Sequence, residues 1–177
     1  MARARWIQGS ASHADGGRRP SGSARDRALA LLAVRWRSEA ELQRRLRAAG
    51  FPDEEIEEAL AGLERAGLID DERFAREVVR DQVARRRASG RAMRAALRQK
   101  GVAADVADAA IEEAGSDEER ARELAESRAP KLAVLGPEAA YRRLYGLLVR
   151  RGYAPGVARD ACRAALAAAL GSIESFE

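Results

Sequence analysis

The side chains that usually carry chemistry are scarce in this chain, and arginine is what remains. His13 is the only histidine and Cys162 the only cysteine. A single histidine in an N-terminal stretch without hydrophobic period supplies no Ser-His or Cys-His pair and no histidine metal site. Cys162 falls 51 residues after Ile111, which falls 51 after Leu60, so it reads as a small core residue rather than a nucleophile. The glycines stand one at a time at the ends of apolar-periodic segments, and no phosphate loop is present. Asp70-Asp71-Glu72 suits a helix start better than a metal site, because no EF-hand spacing follows. Glu112-Glu113 and Asp117-Glu118-Glu119 read as a solvated face. No catalytic residue, cofactor or metal is expected.

The arginines are ordered. At about 100° per residue, Arg73, Arg76, Arg80 and Arg87 share an arc of roughly 60° on one predicted helix, away from Phe74 and Val78. Arg91, Arg94 and Arg98 form a second stripe opposite Met93 and Leu97. Arg142, Arg143, Arg150 and Arg151 form a third basic cluster. Such stripes also occur as ordinary solvated faces. Their order on consecutive helices favours a binding surface for DNA phosphates or an acidic protein, both of which the guanidinium fork can grip. No helix gathers the Asn, Gln, Ser and Arg typical of base reading, so sequence-specific DNA recognition is not expected. Trp36 has two readings, a stacking residue for a base or partner and a partly buried anchor; the second is preferred.

The elements that position these residues follow a 51-residue ruler. Leu42 and Leu46 precede Gly50-Phe51, Met93 and Leu97 precede Gly101-Val102, and Leu144 and Leu148 precede Gly152-Tyr153. A repeat of this length marks helical units that bury their apolar faces by stacking in a row. The predicted architecture is all-α, an elongated, curved array of three tandem three-helix repeats. The repeats are placed at 26–66, 67–115 and 117–170, with a disordered basic tail over 1–25 and a frayed end over 171–177. The first helix is predicted near Asp26 to Trp36, with Leu29, Leu32 and Ala33 on its inner face. Ser38 and Glu41 form a predicted capping box. Pro52, Pro137 and Pro155 open later helices, and Pro130 weakens the first helix of the third repeat. Alternating strand patterns are absent and there is no threonine.

Composition is consistent with this reading. Hydrophobic residues make up 46% of the chain but aromatics only 5%, so a few large aliphatic residues must anchor several thin cores. The net charge of +4 resides in residues 1–25, which hold five arginines and one acid; the remainder is neutral but segregated into acidic and basic patches. No apolar run reaches membrane-spanning length, the basic N-terminus lacks the apolar core of a secretory signal, and one cysteine suits a reducing cytoplasm.

Against this background, Arg37-Ser38-Glu39-Ala40-Glu41-Leu42, Gly50-Phe51 and the stretch from Gly67 to Ala75 resemble the signature of the bacterial RecX regulatory proteins. Gly67, Leu68, Asp70, Asp71 and Phe74 are its specific part. Leu97-Arg98-Gln99-Lys100-Gly101-Val102 and Arg150-Arg151-Gly152-Tyr153 resemble the later family motifs. The resemblance covers about residues 26 to 170. Trp36, Pro155-Gly156 and the long N-terminal stretch depart from it. It implies a non-enzymatic protein that binds the RecA filament on DNA; the repeat array itself is expected to be a monomer, and the cysteine usage points to the cytoplasm. Such proteins negatively modulate RecA recombinase, ATPase and coprotease activities in homologous recombination, DNA repair and the SOS response. Direct DNA binding through the arginines is the competing reading; a helical adaptor for another protein is a third.

Overall fold

A computed structural model describes residues 21–174, with side chains described through residue 171. Residues 1–20 of the expected tail, and 175–177 of the expected frayed end, lie outside this range. Within it the chain forms nine α-helices and no strand. They are α1 (Ala24–Val34), α2 (Glu39–Ala48), α3 (Asp53–Arg65), α4 (Asp71–Asp81), α5 (Gly90–Lys100), α6 (Ala104–Glu112), α7 (Asp117–Ala133), α8 (Pro137–Arg150) and α9 (Pro155–Glu174). A π-helical turn, Gln82–Arg86, extends α4.

The 51-residue ruler becomes three equivalent sets of buried residues. Leu46, Leu97 and Leu148 are all fully buried, as are Leu42, Met93 and Leu144. Leu60, Ile111 and Cys162 fill one further shared position. Burial raises the Cys162 thiol to about 11, so it stays protonated at neutral pH and packs as a small apolar group. Three separate apolar cores result. They run from Ala24 to Ile69, from Phe74 to Ile111, and from Ala121 to Leu166. Every helix pair with substantial packing lies inside one of these units, which is the pattern of a linear array.

Several local expectations are corrected. Helix α1 starts at Ala24, because the Ser23 side chain accepts the Asp26 N–H as an N-cap. Residues 23–25 are therefore ordered rather than part of a tail. Its buried face is Ala24 and Ala28, while Leu29 is exposed and Ala33 points out as well. Three leucines at 29, 31 and 32 surround this helix, and small alanines are what let it approach α3 closely. Ser38 caps α2 through the Glu41 N–H, but the Glu41 carboxylate does not complete the box. It turns to three arginines instead. A full box forms at Ser116 and Glu119. Pro52 is the cap before α3 rather than its first residue. Helix α7 runs through Pro130 to Ala133. Ile69 belongs to the first core, so Gly67-Leu68-Ile69 closes the first unit and Asp70 opens the second.

Candidate functional site

The units meet at two joints built to one plan. At the first, the start of α2 sits between the start of α4 and the end of α5. Asp71 Oδ1 accepts the Glu39 N–H at 2.9 Å, and the Ser38 hydroxyl donates to the Lys100 carbonyl. At the second, the start of α5 sits between the start of α7 and the end of α8. Asp117 Oδ1 accepts the Gly90 N–H at 2.7 Å, and the Ser89 N–H donates to the Arg151 carbonyl at 3.1 Å. Two of the three glycines of the ruler, Gly101 and Gly152, lie in these joints, whereas a Cβ on Gly50 would meet nothing within 4 Å. A Cβ on Gly101 would come within 2.5 Å of Ala40 Cβ, and one on Gly152 within 2.5 Å of Ser89 Oγ. Both glycines also adopt positive φ, +82° and +96°.

This arrangement explains the signature residues. Asp70 caps α4 by accepting the Arg73 N–H at 2.8 Å, Asp71 clamps the first joint, and Phe74 anchors the second core. Gly67 terminates α3 at φ +68°, and Leu68 is left 42% exposed. Burial raises both Asp71 and Glu39 above the usual carboxylate range, with Glu64 adding to both; at Asp71 the hydrogen bond from the Glu39 N–H opposes the rise without cancelling it.

Gly152→Ala is expected to cost about 1–2 kcal/mol in denaturant unfolding for the left-handed conformation alone. Gly136 also has positive φ, but nothing lies within 4 Å of its added Cβ. Solution X-ray scattering should therefore change for Gly152→Ala and not for Gly136→Ala. Identical profiles for the two would contradict a shape-setting joint.

The arginines of the second unit are largely engaged within the chain. Arg73 stacks over the Trp36 ring at 4.4 Å, which makes Trp36, 39% exposed, part of the first joint's surface. Arg76 pairs with Glu72, Arg80 with Glu77 at 2.7 Å, and Arg94 with Asp108 at 2.6 Å. Arg91 Nε donates to the Gly152 carbonyl at the second joint. Arg98 is exposed.

Arg87 does not continue the stripe of α4. The π-helical turn shifts the register, and Arg87 takes φ +46°, the only non-glycine positive φ among the described residues. Its guanidinium reaches α7, donating to Ser127 Oγ at 3.2 Å, and its carbonyl accepts the Tyr153 hydroxyl at 2.8 Å. Arg87 is thus a joint residue.

The third cluster is different. Arg142, Arg143 and Arg150 line a groove between α7 and α8, about 520 Å³ in volume, together with Arg128 and Lys131. Leu132 and Leu147 form its floor, and no acidic residue lines it. All five cations are exposed, and no carboxylate lies within ion-pair distance of them among the described residues. Arg151 lies at the joint instead, half-buried. Arg128 and Lys131 were invisible to stripe counting. They flank Pro130, which obscured the helix that carries them.

The described residues contain no cluster of three or more His, Cys, Asp or Glu placed to hold a metal, and no helix long and apolar enough to cross a membrane. What the surface offers is charge, grooves and a row of similar units. That defines a tandem helical-repeat protein with exposed basic surface.

The family models identify the units in order. "RecX, first three-helix domain" matches residues 24–63, the second three-helix domain 70–111 and the third 116–162. The chain belongs to the RecX family. It is 42% identical over 149 residues to the regulatory protein RecX of Corynebacterium efficiens, covering 80% of this chain and 71% of that protein. It is 38% identical over 148 residues to that of Mycobacterium avium, covering 82% and 86%. The crystal structure of RecX from Lactobacillus salivarius shares the fold with a TM-score of 0.70 at 19% identity, over 80% of this chain and 94% of that one.

Proposed function

We propose that this protein is a non-enzymatic regulator that binds the RecA filament on DNA and restrains the recombinase, ATPase and coprotease activities of RecA. The observation that carries the reading is the ordered match of all three units to the three RecX domains. The fold supports it physically. A row of units joined by thin joints presents a long surface, and several weak contacts along it act together when the partner is itself a repeating polymer. Its action therefore depends on the assembled filament, and it works in the cytoplasm as a monomer.

The test is DNA-dependent ATP hydrolysis by the cognate RecA with this protein titrated in. Hydrolysis is expected to fall at protein concentrations well below that of RecA. A rate unchanged at equimolar protein would refute the proposal. Tighter binding to bare DNA than to the filament would favour the competing DNA-module reading.

A further inference from the structure

We propose that Arg87 is a two-position latch between the second and third units. Engaged, it holds α7 and Tyr153 against the second unit; released, it lets the third unit turn. The device goes beyond the filament reading and stands or falls without it.

The first argument is convergence. No pair of helices from different units packs extensively, so the second joint depends on hydrogen bonds. Those bonds gather on residues Arg87 to Arg91, between α4 and α5. The Arg87 carbonyl accepts the Tyr153 hydroxyl at 2.8 Å, and the Arg87 guanidinium donates to Ser127 Oγ at 3.2 Å. Ser89 and Gly90 donate their N–H groups to the Arg151 carbonyl and to Asp117. Arg91 Nε donates to the Gly152 carbonyl. A change at Arg87 therefore acts at the point where the two units are tied.

The second argument is conformation. Arg87 has φ +46° and ψ +49°, in the left-handed region. Seven glycines among the described residues share a positive φ, and Arg87 is the one residue with a side chain that does. A left-handed backbone crowds the Cβ against the following carbonyl. Such a residue persists where surrounding contacts hold it. A return to the right-handed region would swing the Arg87 carbonyl away from Tyr153 and its side chain away from α7. The π-helical turn Gln82–Arg86 makes this change easy, since none of its residues is buried. A cavity of about 200 Å³, lined by Val83, Ala84, Arg87, Arg120 and Glu123, gives it room. Segments with little buried surface open at low cost.

The third argument compares the joints. On the 51-residue ruler Arg87 matches Trp36, and Tyr153 matches Val102. At the first joint Arg73 stacks over the Trp36 ring, and the Trp36 backbone is not left-handed. Val102 has no hydroxyl to offer the Trp36 carbonyl. The strained residue and the bond that restrains it occur together at the second joint, and both are missing from the first. A latch needs this pairing: two states close in energy, with the balance set by contacts that can be removed.

The experiment places spin labels on Gln99→Cys in α5 and Arg159→Cys in α9, both exposed positions, and reads the distance across the second joint by pulsed electron spin resonance. Cys162 is buried, and a control without the two introduced cysteines shows that it takes no label. Wild type is expected to give one dominant distance. Tyr153→Phe should raise the population of a second distance about fivefold, the effect of one lost hydrogen bond. Ser127→Ala, an exposed site clear of the core, should raise it about twofold. Adding Arg87→Gly to Tyr153→Phe should bring it back toward wild type, because glycine holds a left-handed turn without the bond. Circular dichroism follows the helix content of each variant.

A single distance, unchanged in both Tyr153→Phe and Ser127→Ala, would overturn the proposal. So would a second population that stays high when Arg87→Gly is added, since strain at residue 87 would then not drive the release. If Tyr153→Phe loses helix content, Ser127→Ala decides: a second distance that rises supports the latch, and one that does not rise removes it.

Discussion

Leu97→Ala is expected to lower the stability of the protein by about 2–4 kcal/mol, the range for a fully buried leucine whose cavity cannot close. Leu97 is fully buried in a core that holds few other large side chains, chiefly Phe74, Met93 and Ile111, among alanines and valines. Helices α4 and α6 pack against α5 here, and the small neighbours leave little that can move into the gap. The central unit also touches both others, so its loss removes both joints. Urea unfolding followed by circular dichroism measures the effect. A cost below about 0.5 kcal/mol, typical of a surface substitution, would contradict the equivalence of Leu46, Leu97 and Leu148.

Glu41→Ala is expected to cost about 3 kcal/mol, in the range for removing one partner of a buried ion pair. Glu41 Oε1 gathers Arg35 at 2.6 Å, Arg45 at 3.0 Å and the buried Arg37. Without the carboxylate, Arg37 remains buried with only the Leu31 carbonyl as acceptor. Burial opposes ionisation of Glu41, but the hydrogen bonds from Arg45, Arg35 and Arg37 outweigh it and hold the carboxyl below its usual range. A depressed folded value means the unfolded chain binds the proton more readily. This stabilisation is therefore complete above the ordinary glutamate range and is lost as pH falls through the depressed value. Glu39 and Asp71 have the opposite sign. Their raised values mean that protonation on mild acidification relieves the first joint. Urea midpoints measured from pH 7 downward should fall more gently for Glu41→Ala than for wild type. Parallel curves would show that Glu41 contributes no pH-dependent stability.

The repeat was legible in the sequence because its signal is long-range and strict: an apolar residue eight and four positions before a glycine, three times at one spacing. The core positions of α2, α5 and α8 followed directly. Helix α1 was harder, since leucines at 29, 31 and 32 mark no single face and close packing is achieved by Ala24 and Ala28. The joints were hidden because a single hydrogen bond, such as that from Gly90 to Asp117, joins residues with no shared periodicity. The arginine stripes illustrate a further limit. Periodicity gives direction from a helix axis, and it does not reveal whether a carboxylate stands opposite, as Asp108 does for Arg94. Nor did it foresee the π-helical turn that sends Arg87 to α7. Family resemblance supplied the signature residues, but their distinct duties in capping, clamping and core packing became visible only in three dimensions.

The two joints separate the shape of the molecule from its durability. Each unit is held by its own core, whereas the angle between units is fixed by a glycine against a helix start and a few hydrogen bonds. Substitutions among the leucines act on the survival of a unit, and reach the outline only when that unit unfolds. Substitutions at Ser38, Asp71, Ser89, Gly101, Asp117 or Gly152 act on the outline, and so on the pitch of any polymer it can follow. Two relatives with interchangeable cores then differ in outline through a handful of small residues.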